Sequence, residues 1–455
     1  MNKKAIIGYS LFAAVVIAVV IYLVSIPKST GSDQKNSLEL TISKDRTSYA
    51  VTGIGTYKKT DVVIPSEFSG LPVTEIASGA FRNCKDITSV VIPDSVTSIG
   101  KNAFYDCQNL TEATVSGSVK SIGESAFSGC SNLKTVTLAD GLETIDSYAF
   151  SRCSSLESIV IPDSVTSIGS WAFNECNSLT SAKLPKNLDI INQRTFHMCS
   201  KLTDVEIPDG VTEIGEYAFS MCNLKDIIIP SSVEVIGDGA FSGCYSLESI
   251  TLSYGVKKIG YVAFDINSGI FEPMVKELMI PDSVEELSER SFGGLAITSA
   301  VIPKSVTNID GSPFGGCKNL VDLTIEDDNE GYYSVNNCII ERETGTLVAT
   351  CEGSVLPDDG SIKIIGSASL SNLYFETLTI PDGVVEIAKN ALSNCPDLKE
   401  IILPKSVEKI GMWALSGNSL EKIIYQGTAE EWEAIEKDDK WLPFTAEEFE
   451  LIFAE

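Results

Sequence analysis

The 455-residue sequence predicts a right-handed repeat solenoid of about fifteen rungs, with a parallel sheet along one face and one membrane-spanning helix ahead of it. Three observations predict it. Phenylalanine recurs at Phe81, Phe104, Phe127, Phe150, Phe173, Phe196, Phe219, Phe241, Phe264, Phe292 and Phe314, in steps of 23 residues six times and then 22, 23, 28 and 22. Cysteine follows three residues later at Cys84, Cys107, Cys130, Cys153, Cys176, Cys199, Cys222, Cys244 and Cys317. Residues 5–26 run for 22 positions without a charge, enough for a helix to cross about 30 Å of hydrocarbon.

In order along the chain, residues 1–4 are expected to be a cytoplasmic tail and 5–26 a signal-anchor, with the repeats outside the cell. Lys3 and Lys4 precede this stretch, and no convincing small-residue cleavage signal or lipoprotein cysteine ends it. A cleaved signal peptide on a secreted product is the competing reading. Residues 27–37 (PKSTGSDQKNS) form a polar linker. Residues 38–60 alternate like a hairpin with its turn near Lys44–Thr47, a cap for the solenoid's open end. Residues 61–425 are the solenoid itself, interrupted by a hairpin insertion at 326–366. Residues 426–455 form a C-terminal cap and acidic tail, in which Thr428 and Glu431 have the spacing of a capping box.

Ile161–Cys176, IPDSVTSIGSWAFNEC, shows one rung. Leu156–Ile161 supplies a strand with Leu156, Ile159 and Ile161 inward, and Pro162 ends it because it has no N–H for a ladder. The D-S-V-T-S-I-G portion turns the chain. Its recurring glycine (Gly100, Gly123, Gly169, Gly215, Gly237, Gly260) implies either positive φ or a close backbone approach. Asp146 and Asn192 at the same site favour positive φ. A-F-x-x-C then makes one helical or 3₁₀ turn on the opposite wall.

The frame L-x-x-[IV]-x-[IL]-P-x-x-V-x-x-I-G-x-x-A-F-x-x-C resembles the BspA-like (Treponema-type) leucine-rich repeats of bacterial and protist surface proteins, over residues 38–435. The resemblance implies an α/β-type, β-dominated leucine-rich repeat solenoid, often displayed at the surface and associated with adhesion or binding. It implies no catalytic residues. Asn329–Tyr332 resembles the Asn-x-x-Tyr start of the family's hairpin islands, and Gln426–Ile435 its C-terminal ending.

Composition narrows the chemistry. Lys+Arg total 34 against Asp+Glu 62, a net charge of −28, which disfavours nucleic acid. The frame cysteines, with Cys395, are expected as a ladder of buried thiols that behave as small hydrophobes. Cys338 and Cys351 lie outside the frame on either side of Thr344-Gly345. A tight hairpin there places them opposite one another, a possible disulfide. His197 is the one histidine, at a non-frame position, so any Ser-His-Asp or Cys-His system would have to use it and a structural or surface role is expected; no zinc, calcium or phosphate-loop motif is complete. No cofactor, metal or catalytic residue is therefore expected.

Two surfaces remain as candidate ligand sites. The outward strand columns carry Ser158, Ser181, Asp204 and Asp226 beside Lys183 and Glu206. The stripe Tyr148, Trp171, Arg194, Tyr217 places one bulky residue per rung beside the Ala-Phe pair or its equivalent, either as packing between rungs or as an exposed contact ridge. The expected function is non-enzymatic adhesion or binding of a protein or other extracellular macromolecule by a monomer. A structural envelope spacer is the alternative, and an enzyme using carboxylates near the hairpin is a distant third.

Overall fold

The computed structural model describes residues 37–266, 271–442 and 449–454. The expected signal-anchor at 5–26 lies outside them. Among the described residues, no helix is long and apolar enough to cross a membrane.

Each repeat makes one turn of a coil with three walls. On the strand wall, Ser89–Ile92, Glu112–Val115 and Thr135–Leu138 pair in parallel with no register shift, one repeat apart. A second wall, which the sequence reading treats only as a turn, is also a parallel ladder. Ser98–Ile99, Ser121–Ile122, Thr144–Ile145 and Ser167–Ile168 pair successively. Each of these strands is two residues long, too short for alternation to show in a sequence.

The third wall, the turn wall, holds the Ala-Phe-x-x-Cys segments, and it is not a helix. Successive amides alternate between two partners. Ala103 N–H and Tyr105 N–H close local turns onto Gly100 O and Asn102 O, whereas Phe104 N–H and Asp106 N–H donate to Ala126 O and Ser128 O of the next rung. Asn102 and Asp106 reach this geometry with φ of 56° and 58°. From Phe81 to Phe241 the left-handed positions therefore lie two residues before and two after each frame phenylalanine. The frame glycine is not one of them. At Gly123 an added Cβ would sit 2.9 Å from backbone atoms of Ile99, Gly100 and Lys101, so close approach excludes a side chain there. Asp146 and Asn192 are not in the left-handed region either.

The phenylalanines fill the interior as one column. From Phe81 to Phe314, ten consecutive ring pairs stack at 4.9–5.9 Å and within 14° of parallel. The cysteines run alongside and do more than fill space. Cys107, Cys130, Cys153 and Cys176 each donate a thiol hydrogen to the carbonyl of the preceding rung's phenylalanine, at 3.0–3.3 Å. Cys395 does the same to Leu370 O at 3.1 Å. Every cysteine is a free thiol.

Burial pushes these thiols up, Cys244, Cys317 and Cys395 to about 12 and half-buried Cys84 to about 11, against an ordinary value of 9.0. Thiols that ionise at higher pH folded than unfolded stabilise the fold fully below about pH 9, and that contribution is lost as pH rises toward 12. The urea midpoint is therefore expected to fall between pH 8 and pH 11. A Cys130→Ala, Cys153→Ala, Cys176→Ala, Cys199→Ala variant should start less stable and lose less over the same interval. Equal losses in both proteins would show that the thiols are not responsible.

The insertion is a partition between two cores. Tyr332–Val335, Cys338–Glu341 and Thr346–Ala349 form an antiparallel meander, and Thr346–Leu347 pairs in parallel with Ile364–Ile365 to restart the short ladder. Ile339, Val348 and Ala349 pack into the core that begins at Leu38, while Cys338, Ile340 and Leu347 pack into the core that ends at Ile435. Alternate residues of one hairpin thus seal both halves. Buried Asn329 anchors it. Its Nδ2 donates to Lys304 O and Val306 O, and its Oδ1 accepts from Gly331 N–H and Tyr332 N–H.

The expected placement of Cys338 directly opposite Cys351 needs correcting here. Cys338 and Cys351 are both free thiols. Ile340 pairs with Leu347, so the hairpin is centred one residue before the Thr344-Gly345 midpoint, and the bulge that pairs Ile339 with Ala349 recovers only part of the offset, which sets Thr350, not Cys351, across from Cys338.

Both ends are closed. Glu39–Ile42 and Tyr49–Gly53 form a hairpin whose second strand pairs with Leu71–Ile76 at the head of the short ladder. At the other end Ala429–Ala434 is helical with a complete Thr428/Glu431 capping box, and Trp432 packs edge-on against Tyr425 and Trp441. The tail continues both ladders, Glu436–Lys437 beside Lys409–Ile410 and Glu450–Phe453 beside Lys422–Tyr425.

Candidate functional site

The candidate residues fall on two different walls and do not form one site. On the strand wall, Ser158 pairs with Ser181 and Ser181 with Asp204, while Val160 pairs with Lys183. All of them are exposed except half-buried Ser181. Glu206 is exposed on the same turn as Asp204, and Asp226 is exposed on the next turn, where a separate sheet begins. Ser249 Oγ donates to Asp226 Oδ1 at 2.6 Å. This surface is a solvated mixture of hydroxyls, carboxylates and single apolar residues such as Val160 and Ile228.

The turn wall is more organised. Tyr148, Trp171, Arg194 and Tyr217 occupy the left-handed position of four consecutive rungs, with φ of 60°, 63°, 54° and 52°. Other rungs fill that position with the small or polar residues Gly79, Asn102, Ser125, Gly239, Ala368 and Asn390, and singly with Val262, Arg290 and Trp413. A bulky L-residue there costs about 1 kcal/mol or more of backbone energy. Stacking offsets part of it. The Tyr148 and Trp171 rings lie 5.7 Å apart and 17° from parallel. The Arg194 guanidinium is clamped between two rings, 4.4 Å from Trp171 and 4.9 Å from Tyr217. The Tyr217 ring then lies over Gly239, where an added Cβ would meet it at 2.3 Å, and the ridge stops.

Sequence reasoning missed the residues that flank this stripe. His197 sits edge-on to Trp171 and Tyr217 at 6.1 and 6.4 Å. Burial, and then the charge of Arg194, hold its imidazole below its usual value, so it is neutral at pH 7. Met198 and Met221, the left-handed residues after the phenylalanine, are both exposed, and Arg152 reaches across to Tyr105 OH at 3.3 Å. The available signal was position: each stands one or two places after a frame phenylalanine. The ridge thus gathers Trp, Tyr, Arg and Met, the residue types that dominate protein-contact energetics.

No group of three or more His, Cys, Asp or Glu side chains placed to hold a metal ion occurs among the described residues. The rung-to-rung pairs Lys101–Glu124, Lys120–Glu143 and Lys257–Glu234, at 2.8–2.9 Å, are solvent-exposed and screened, so they add little to stability.

Comparison with known proteins decides the family. The BspA type leucine rich repeat region matches residues 56–180, 166–270, 264–344 and 355–434. The chain belongs to this family. Among solved structures, a leucine rich cell surface protein from Faecalibacterium prausnitzii A2-165 is 27% identical, with 91% of this chain and 99% of that one covered and a TM-score of 0.53. A leucine-rich repeat protein from Bacteroides ovatus is 25% identical over 93% of this chain and 100% of its own, at a TM-score of 0.49. A comparison with curated proteins finds no match. The BspA-type repeat accounts for the stacked walls. The ridge is an addition to them, because rungs also form with glycine, asparagine or serine at the ridge position.

Proposed function

We propose that this BspA-type protein is a surface-displayed binding protein that holds an extracellular protein partner against the Tyr148–Tyr217 ridge, without chemistry. Residues 5–26 would anchor it in the membrane with the repeats outside. The observation that carries the reading is the run of four bulky residues in left-handed backbone positions on consecutive rungs, three of them aromatic and each stacked on the next. A sequence selected only for a stable rung would not place them together. Similarity to a Faecalibacterium cell surface protein supports the location.

The test uses Trp171→Asn, since asparagine suits positive φ. Binding to a panel of purified extracellular-matrix proteins is expected to weaken at least about tenfold, as for a contact hot spot. The thermal midpoint should stay within a few degrees. Unchanged binding to every partner the parent protein captures would remove the ridge from the function and favour a spacer.

A further inference from the structure

The ridge does not begin flush with the wall. One rung before Tyr148 the ridge position is Ser125, and behind it lie the short side chains of Ser128 and Ser151, both buried. Side-chain volume is thus missing between Tyr105 and Tyr148. The result is an open notch of about 420 Å³, which falls within the usual size of a small-molecule site.

Its walls have a definite chemistry. One face of the Tyr148 ring is covered by Trp171, and the other looks over Ser125 into the notch. Arg152 stands at the rim with Nη2 on Tyr105 OH. On the next rung, at the same frame position, Glu175 accepts from Asn174 Nδ2 at 3.0 Å, which also reaches Ser151 Oγ at 3.4 Å, while the Asn174 side-chain oxygen is buried with no partner. Glu124, paired with Lys101 at 2.8 Å, closes the outer edge. An apolar ligand would strand these polar groups. A charged one would meet a guanidinium and two carboxylates together, so neither sign is favoured. A pyranose ring meets both requirements, with a C–H face for the tyrosine and hydroxyls that donate to carboxylates and accept from guanidinium.

We infer that the notch is a subsite for a pyranose ring of a neutral glycan carried by the protein partner. The inference rests on the reading that the turn wall is the contact surface. One sugar ring on one exposed aromatic face binds weakly, with a dissociation constant on the order of 1 mM, and the ridge supplies the remaining affinity.

Saturation-transfer NMR on the full chain, in a detergent without sugar head groups, tests it. The probes are the methyl glycosides of β-galactose, β-glucose and α-mannose. At least one is expected to receive saturation, strongest at its ring C–H protons. Ser125→Tyr should abolish the signal by filling the notch, and Tyr148 shows that this backbone position accepts a tyrosine. Tyr148→Leu keeps an apolar side chain but removes the aromatic face, and should weaken the signal at least tenfold. Absence of transfer to all three probes, or transfer that survives Ser125→Tyr, overturns the inference. Ser125→Tyr extends the ridge by one ring, so partner binding that still depends on Trp171 would leave the ridge reading standing while the subsite failed.

Discussion

Phe150→Ala is expected to destabilise the protein by about 3–5 kcal/mol in urea unfolding, among the largest losses any single core substitution should cause. Phe150 is fully buried and stacks on Phe127 at 5.2 Å and Phe173 at 5.4 Å, so alanine opens a cavity that neither neighbour can fill. In a one-dimensional stack each rung is held by its two neighbours alone, and a void in the middle weakens both contacts. Phe150→Leu should cost much less, about 1–2 kcal/mol. Leu370, Leu392 and Leu415 occupy the equivalent place in the C-terminal half and are all buried there. A loss below about 1 kcal/mol for the alanine variant would mean that the ring column contributes little to stability.

The second large effect is expected at Asn329. Replacing it with alanine removes a side chain that satisfies two carbonyls and two amides at once, leaving buried backbone groups without partners. The expected cost is about 3 kcal/mol or more. It should also appear in the shape of the transition, because the hairpin that Asn329 anchors is the element shared by both cores. Three of the four tryptophans, Trp413, Trp432 and Trp441, lie beyond the hairpin. Fluorescence therefore reports mainly the C-terminal half, whereas circular dichroism follows the whole stack. In Asn329→Ala the two probes should give separate midpoints, the signature of lost two-state coupling. Coincident midpoints in the variant would show that the halves are joined by other contacts.

What the sequence made legible follows from what repetition averages. Phenylalanine and cysteine mark the rungs because burial admits few substitutes, and repetition over more than two hundred residues fixes their register. The strand wall was readable for the same reason. The short second ladder was not, because a two-residue Ser-Ile strand has no period to detect. The turn wall misled at one point. Of the two readings of the glycine after isoleucine, close backbone approach held and positive φ failed; the left-handed positions are held by residues such as Asn102, Trp171 and Met198, which nothing in composition distinguishes. Cys338 and Cys351 were misplaced because the turn is centred one residue earlier than their midpoint, and the bulge beyond it makes up only part of the difference.

The ridge was half legible. Tyr148, Trp171, Arg194 and Tyr217 could be aligned by counting 23 residues, but the backbone strain they impose appears only in the dihedral angles. His197 and Met198 join them because alternating turns bring the residues on both sides of the phenylalanine to the same surface. The strand-wall set, Ser158, Ser181, Lys183, Asp204, Glu206 and Asp226, was equally countable and forms a plain polar sheet.

A side-by-side binding measurement separates the walls most directly. Partner capture by the full chain should be compared between Tyr148→Ser, Trp171→Ser, Tyr217→Ser combined and Asp204→Lys, Glu206→Lys, Asp226→Lys combined, with circular dichroism showing both variants folded. Loss of binding in the first and retention in the second is the predicted result. Retention in the first and loss in the second would place the contact on the strand wall and contradict the central claim.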